Sequence, residues 1–254
     1  MKSWPAAPSQ FCLPLLLLCA AALAFPLAAE QAQRAPPAFS SMVGSGPITG
    51  WRSAGLPAQE IPATRFELVA LEGRHVLRVT ADASYGTLVF DSPARRLAVG
   101  ERLRWSWRLD QGLTRSDLRT RSGDDSPIKV CALFDMPLDA MSFAERSKLR
   151  LARALSGQAL PSATLCYVWD RTLPVGTAIV NAHSARVRFI VASSGSAQPG
   201  QWMVQSHDLG ADFMRSFGHE ATTLPPLIAL LIGADSDNTR ERSLAYMGDL
   251  TLGP

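Results

Sequence analysis

Residues 101–110 read Glu-Arg-Leu-Arg-Trp-Ser-Trp-Arg-Leu-Asp, and this stretch decides the fold class. Large apolar residues alternate with arginine or serine, so that Leu103, Trp105, Trp107 and Leu109 share one side. Side chains of a β-strand point alternately to its two faces. The pattern therefore predicts a strand with one face in an apolar core and its arginines directed toward water or a cleft.

Similar signals recur along most of the chain. The turn at 72–74, Glu-Gly-Arg, separates two alternating stretches and predicts a hairpin, whereas the unbroken apolar run at 227–232 predicts a strand buried on both faces. A capping box at Ser142 and Glu145 and an N-cap at Asp208 begin two short helices. The fold class is therefore mainly β, an antiparallel β-sandwich of jelly-roll type with two short inserted helices. Strands are predicted at 64–71, 75–81, 86–91, 101–110, 128–135, 164–170, 186–192, 202–207, 227–234 and 244–252.

Composition bounds the class of protein. The chain has 254 residues, of which 47% are hydrophobic and 19% charged, and its formal net charge is +3. These values suit a folded domain and exclude disorder for most of the chain. A balance so close to neutral argues against a nucleic-acid partner, because such proteins usually carry a strong basic excess.

The N-terminal segment has the features of a targeting sequence. Lys2 precedes an apolar run, and the small residues Ala22 and Ala24 mark a cleavage site. We predict a signal peptide over 1–24 (with cleavage after Ala29 as the alternative), a flexible leader over 25–50 and a single β-sandwich domain over 51–254. A lipid-modified Cys19 is disfavoured because Leu18 precedes it. The chain is predicted to be periplasmic or secreted and not to span a membrane.

Signal removal leaves Cys131 and Cys166, each within an apolar stretch that ends in Asp. An oxidising compartment favours a disulfide if their strands are neighbours in register. Two buried free thiols are the alternative. The sequence leaves both open.

Standard catalytic signatures are incomplete. Neither Ser45 nor Ser196 has both glycines of a nucleophile elbow, and the glycines at 44 and 46 lack the lysine of a phosphate loop. The four histidines form no paired zinc motif. Catalytic residues remain unknown, and whether the protein is an enzyme is left open.

Two acidic loops are the remaining candidates. The first contains Arg119, Asp124 and Asp125, and the second contains Asp237 and Asn238. Arginine forks and carboxylates can bind sugar hydroxyls, although a solvated turn held by ion pairs is the simpler interpretation.

In the second loop, Asp235 and Asp237 place oxygen donors at alternate positions, as Ca²⁺ requires. Calcium is therefore a candidate cofactor at these two residues. A turn held by side-chain hydrogen bonds is an equally strong alternative.

A third segment adds Trp169 and Asp170. An exposed Trp beside Asp would suit stacking on a sugar ring, whereas a Trp on the same side as Tyr167 is more often part of a core. We predict that the ligand-binding residues meet at one rim, with carboxylates and amide as acceptors, Arg119 as donor and Trp169 as stacking surface. They are Arg119, Asp124, Asp125, Trp169, Asp170, Asp237 and Asn238.

Several of these stretches, in order, resemble a bacterial family known as the domain of unknown function 3047. The resemblance rests on Leu-Arg-Trp-Ser-Trp-Arg at 103–108, the loop at 117–125, Leu-Cys-Tyr-Val-Trp-Asp at 165–170, Asp-Ser-Asp-Asn-Thr at 235–239 and Tyr-Met-Gly-Asp at 246–249. It implies an exported β-sandwich protein and no particular activity.

The leading hypothesis is binding of a glycan or another polar ligand of the cell envelope. The first alternative is a carboxylate-dependent glycoside-active enzyme that pairs Asp124 or Asp125 with Asp237 or Glu241. The second is a structural or partner-binding envelope protein without a small ligand.

Overall fold

The structure is a computed structural model and describes residues 35–42, 44, 46–55, 60–156, 160–195 and 199–254. Backbone contacts group Arg34–Pro254 into one compact unit. The predicted signal peptide lies outside the described residues, so it stays a prediction.

The described residues form thirteen strands and two α-helices. The helices are α1 (Phe143–Ser156) and α2 (Leu209–Phe217). The strands are β1 (Arg52–Ala54), β2 (Arg65–Leu71), β3 (Arg74–Asp82), β4 (Tyr85–Arg95), β5 (Arg102–Gln111), β6 (Lys129–Phe134), β7 (Ala163–Asp170), β8 (Ala178–Val180), β9 (Val187–Ser194), β10 (Trp202–Asp208), β11 (Leu227–Asp235), β12 (Arg242–Met247) and β13 (Thr251–Gly253).

The strands form two sheets packed as a sandwich. Sheet A has the order β1-β4-β11-β6-β7-β9-β8, and sheet B has the order β10-β5-β12-β3-β2, with β13 added beside β5. Neighbouring strands are antiparallel except β7 and β9, which pair in parallel. The predicted β-sandwich with two inserted helices is confirmed.

Three differences from the predicted strands have local causes. Strands β1 and β8 were not predicted, since three residues are too few to show a period. The predicted strand at 244–252 is divided into β12 and β13, and at the break the Gly248 N–H donates to the Ser106 carbonyl of β5.

The main core fills the space between the sheets. Strand β5 follows its alternation strictly, with Leu103, Trp105, Trp107 and Leu109 buried and its arginines turned outward. Strand β11 lies between β4 and β6, as its continuous apolar run predicted. The side of each sheet turned toward this core is called its core face below, and the other side its outward face.

Part of the predicted leader belongs to this core. Phe39 and Ile48, within the segment 25–50, are buried, and Phe39 stacks on Trp51. Ser40 donates through its N–H and its hydroxyl to Asp249 near the other end of the chain. The packed domain therefore begins before residue 51, and this part of the segment is not a free leader.

The outward face of sheet A is also buried. A second apolar cluster lies there, and Leu118 and Leu173 from two long loops pack on it. Cys131 of β6 and Cys166 of β7 are opposite each other in this cluster and are joined by a disulfide. Because both sides of these strands are covered, β6 and β7 show no exposed residue.

The helices begin where the sequence placed them. At the start of α1 the Ser142 hydroxyl accepts the Glu145 N–H and the Glu145 carboxylate accepts the Ser142 N–H, as the capping box requires. The Asp208 carboxylate accepts the Ala211 N–H at the start of α2. Within the described part of the chain, no helix is long and apolar enough to cross a membrane.

Candidate functional site

The two acidic loops meet at one end of the central strands of sheet A, since one loop follows β11 and the other leads into β6. Asp125 accepts hydrogen bonds from the backbone N–H and side chain of Asn238 at 3.2 Å each, and from the N–H and hydroxyl of Thr239 at 2.7 and 2.6 Å. These four bonds satisfy both carboxylate oxygens, and Asp125 is only 1% exposed. Asp125 is therefore saturated, and the backbone and amide N–H groups of Asn238 join the two loops to each other.

Behind this junction lies a buried ion pair. The Lys129 ammonium is 2.5 Å from one Asp235 oxygen, and the other oxygen accepts the Ser126 N–H at 2.7 Å. Burial alone would lower the pKa of Lys129, but the adjacent carboxylate outweighs burial and holds that pKa above its ordinary value. The lysine is thus a fixed positive charge at the centre of an acidic cluster.

This arrangement corrects the predicted calcium site. Both Asp235 oxygens are occupied, one of them by an ammonium group where a metal ion would have to sit. Among the described residues, no group of three or more His, Cys, Asp and Glu side chains could hold a metal ion. The Asp235–Asp237 pair does not provide the six or more oxygens that Ca²⁺ requires.

Asp124 lies close enough to the ion pair for its negative charge to help raise the pKa of Lys129. Its Oδ2 accepts the Asn181 amide at 2.6 Å and is 3.8 Å from His183 Nε2. Its Oδ1 is buried and has no hydrogen-bond partner among the residues described. Asn181 also accepts the His183 N–H, so the end of β8 holds both residues beside this carboxylate.

Asp237 repeats this feature. Its Oδ1 is likewise buried without a partner in the described part of the chain. Burial raises the pKa of Asp237 above its ordinary value, and the negative charges of Asp125 and Asp124 raise it further. One oxygen of each of these two carboxylates is therefore buried without a hydrogen-bond donor among the described residues.

Tyr85 is the residue about which these groups assemble. It begins β4, points to the outward face of sheet A and is half-buried. Lys129 Nζ is 5.6 Å from its ring centroid. Burial raises the pKa of Tyr85. The positive charge of Lys129 lowers this pKa, and the negative charges of Asp235, Asp237 and Asp124 raise it. We call Tyr85, Asp124, Lys129 and Asp237, with Asn181 and His183 beside them, the Tyr85 cluster.

The sequence segments that build this cluster fall within one family match. The model of the family described as "Protein of unknown function (DUF3047)" matches residues 49–251. The chain belongs to the DUF3047 family. No curated protein matches it.

Among solved structures, a carbohydrate-binding module and a carbohydrate recognition domain are similar to this DUF3047 protein at low sequence identity. A family 11 carbohydrate-binding module from Clostridium thermocellum is 8% identical, covers 84% of this chain and 97% of that one, and has a TM-score of 0.42. The carbohydrate recognition domain of Emp47p is 9% identical, with 87% and 95% covered and a TM-score of 0.42. These scores are too low to indicate what this chain binds.

A larger protein also matches over part of its length. The glycoside hydrolase domain of Endo-D from Streptococcus pneumoniae is 12% identical with a TM-score of 0.35. The match covers 80% of this chain but spans only 21% of that one.

Trp169 does not join the Tyr85 cluster, which corrects its predicted stacking role. It shares the core face of β7 with Tyr167, is 6% exposed and donates its indole N–H to the Gly195 carbonyl at 2.7 Å. Its ring lies 5.7 Å from that of Trp107 in the main core. A ring in this position cannot stack on a sugar.

Asp170 and Arg119 also have other partners. Asp170 is buried and accepts the N–H groups of Thr172 and Leu173, so it caps a turn. Together with Trp169 it lines a separate cavity of about 10 Å³, which has room for one water at most. Arg119 is bonded to Asp117 and is 61% exposed. The predicted common rim therefore contains only part of the predicted set.

Four residues of the Tyr85 cluster were missed at the sequence level, namely Tyr85, Lys129, Asn181 and His183. Lys129 carried a usable signal, since it is a charged residue at an outward position of an otherwise apolar strand. Tyr85, Asn181 and His183 gave no such signal, because they approach the two loops only through sheet pairing and the path of β8.

Proposed function

We propose that this DUF3047 protein is a saccharide-binding protein and that the Tyr85 cluster holds a neutral sugar. The observation that carries this proposal is the pair of buried, unpartnered carboxylate oxygens on Asp124 and Asp237. A buried acceptor without a donor costs about 1–3 kcal/mol, so a ligand hydroxyl that donates to it gains that amount back.

The other members of the cluster complement those acceptors. The ammonium of Lys129 and the hydroxyl of Tyr85 can donate to sugar oxygens, and the ring of Tyr85 offers an apolar surface. Several acceptors and donors within one small region match the alternating hydroxyls of a pyranose. The excess of carboxylates over cations favours a neutral ligand over an acidic one.

Binding is better supported than hydrolysis. The alternative enzyme needs two free carboxyl groups, but Asp125 is saturated and Glu241 accepts hydrogen bonds from Thr114 and Arg115. Only Asp124 and Asp237 remain for such a pair. We propose that both act as hydroxyl acceptors.

We also propose that the protein acts outside the cytoplasm, in the periplasm or as a secreted protein. The predicted signal peptide supports this location, and so does the disulfide between Cys131 and Cys166, since such bonds persist in oxidising compartments.

A saccharide panel tests the proposal. Melting temperature and isothermal titration would be measured with neutral mono- and oligosaccharides, including glucose, galactose and oligomers of N-acetylglucosamine. We expect at least one to raise the melting temperature of the wild type, because a ligand that binds only the folded state stabilises it. Asp237→Asn should weaken its binding about 10- to 100-fold, the effect of a hydrogen bond to a charged group.

Asp117→Asn is the matched control, since Asp117 lies in the same loop as Asp124 but pairs with Arg119 outside the cluster. It should bind like the wild type. Equal affinity of the Asp237 variant and the wild type would refute the proposed site. Release of new reducing ends by the wild type, but not by the Asp237 variant, would replace binding by hydrolysis.

A further inference from the structure

A second candidate surface lies on the outward face of sheet B, on the opposite side of the sandwich from the Tyr85 cluster. One row of paired residues crosses five of the six strands of this sheet. It runs from Glu67 on β2 through Arg78, Tyr246 and Arg108 to Trp202 on β10. Arg78, Arg108 and Tyr246 point away from the core, because their neighbours along each strand are buried. Glu67 and Trp202 are their register partners and lie on the same face.

The row places an aromatic ring between two arginines. Tyr246 is half-buried on the central strand β12, and the Arg108 guanidinium is 5.7 Å from its ring centroid. Arg78 is directly opposite Tyr246 on the other side. A flat ring flanked by planar guanidinium groups is a combination that binds a sugar ring carrying a negative charge.

One end of the row is closed by the hairpin turn between β2 and β3. Glu72 and Gly73 both have positive φ, as a two-residue hairpin loop requires. Glu72 accepts hydrogen bonds from the indole of Trp202 at 2.9 Å and from Arg108 at 2.6 Å. The Arg74 guanidinium covers the Trp202 ring at 4.1 Å. The Trp202 ring is therefore held in place and closely covered, whereas the nearest guanidinium to the half-buried Tyr246 ring is 5.7 Å from its centroid.

The other end has unused donors. The Nε and Nη2 groups of Arg78 donate to Glu67, and 38% of the Arg78 side chain is exposed. Its remaining N–H groups can therefore donate to a ligand. Arg65, one row along on β2, is exposed on the same face. At the Trp202 end, Val204 lies two positions further along β10 and is 81% exposed, so that end of the face offers apolar surface.

Charge selects the class of ligand. Strand alternation and the turn contacts place seven arginines on this face, namely Arg65, Arg74, Arg78, Arg102, Arg104, Arg108 and Arg242. They also place five carboxylates there, namely Glu67, Glu72, Asp82, Asp110 and Asp208. The excess is positive but small. The interleaved carboxylates can accept hydrogen bonds from the hydroxyls of a saccharide that lies between the arginines.

We propose that this face binds an acidic polysaccharide, with one uronate ring stacked on Tyr246 and its carboxylate held by Arg78. The surface is separate from the Tyr85 cluster and does not depend on the proposed function. The two sites would let the protein hold a neutral sugar and an acidic chain at the same time.

The experiment uses tetragalacturonate as the probe and its methyl ester as a neutral control with the same rings. Isothermal titration at low ionic strength should show binding of the acid and loss of binding with the ester. We expect Arg78→Gln and Tyr246→Ala each to weaken binding by about 10-fold or more. Tyr246→Phe keeps the ring and should bind like the wild type, which separates the loss of stacking from a failure to fold.

Arg242→Gln is the matched control, because Arg242 is on the same strand and face as Tyr246 but lies outside the row, four positions away and opposite Asp82. It should retain the wild-type affinity. Equal weakening by Arg242→Gln and Arg78→Gln, or equally tight binding of single-stranded DNA of the same charge, would show a general polyanion surface and overturn the proposal. Absence of binding by the wild type would also overturn it.

Asp237→Asn should leave tetragalacturonate binding unchanged. This variant tells the two proposals apart, because loss of neutral-sugar binding with retained acid binding removes only the Tyr85 site.

Discussion

The outward faces of the two sheets differ in their exposure to solvent. On sheet A that face is covered by loops and contains a disulfide, and its buried ion pair between Lys129 and Asp235 lies where the central strands β6 and β11 begin and end. On sheet B it is a row of charged and aromatic side chains that stay partly exposed. A charge on the first face is buried and must be paired, whereas a charge on the second is solvated. The same residue type should therefore have a large effect on stability in one sheet and a small one in the other.

The sharpest test of this contrast is Lys129→Met. Removing the ammonium leaves Asp235 buried without its partner, and we expect the free energy of unfolding to fall by about 3–5 kcal/mol. Urea unfolding would measure the change. Lys148→Met is the control, since Lys148 is exposed on α1 and its loss should change stability by roughly 0.5 kcal/mol or less. Similar values for the two variants would contradict the contrast.

The next largest effect is expected from the disulfide. Cys131 and Cys166 are 35 residues apart along the chain, and replacing both by Ala should lower the free energy of unfolding by about 2–4 kcal/mol. The measurement is urea unfolding of the double variant and the wild type without reductant. If reductant destabilises the wild type but not the variant, the bond is the cause. An unchanged urea midpoint of the double variant would mean that the disulfide does not stabilise the covered face of sheet A.

Asp125→Asn tests the junction of the two acidic loops. The amide would present its NH₂ group to donors that now meet a carboxylate oxygen, so stability should fall by about 1–3 kcal/mol. Thermal unfolding with Asp117→Asn as the reference would show it. A change no larger than that of the Asp117 variant would mean that the loops are held by other contacts.

Arg78→Gln is expected to have one of the smallest effects. Its ion pair with Glu67 lies on the open face of sheet B with both side chains well exposed, so the loss should be less than about 1 kcal/mol. Urea unfolding of this variant beside Lys129→Met completes the comparison. A loss equal to that of the Lys129 variant would show that the outward face of sheet B is not solvated.

The raised pKa of Asp237 predicts how the stability of the protein changes with pH. Its raised pKa means that the folded protein holds this proton more tightly than the unfolded chain, so the stabilising contribution is complete below pH about 4 and is lost as pH rises through the folded value. Asp237→Asn should remove that loss. The melting temperature of the variant should therefore gain on the wild type from pH 4 to pH 7. A constant difference across this range would argue against the burial of the carboxylate.

How far the sequence predicted this molecule depends on the same contrast. The half-solvated strand β5 shows strict alternation, so its core face could be assigned residue by residue. The strands of sheet A are buried on both sides and show only apolar runs, from which existence but not orientation follows. Trp169 was accordingly open to two interpretations, and the wrong one entered the predicted site.

The candidate site was predictable only in part. Acidic loops at strand ends could be recognised, but which carboxylates are saturated depends on contacts across more than one hundred residues, as between Asp125 and Thr239. Lys129 shows the same limit, since its pairing with Asp235 follows from the neighbouring positions of β6 and β11.

The segment around Phe39 limits how far the chain can be shortened from its N-terminal side. Phe39 fills a place in the main core, and Ser40 is fastened to Asp249, so the two ends of the domain close on each other. An N-terminal truncation that keeps this packing must therefore end before Phe39. A chain that begins at residue 51 would lack the Phe39 side chain and would have a cavity between its sheets.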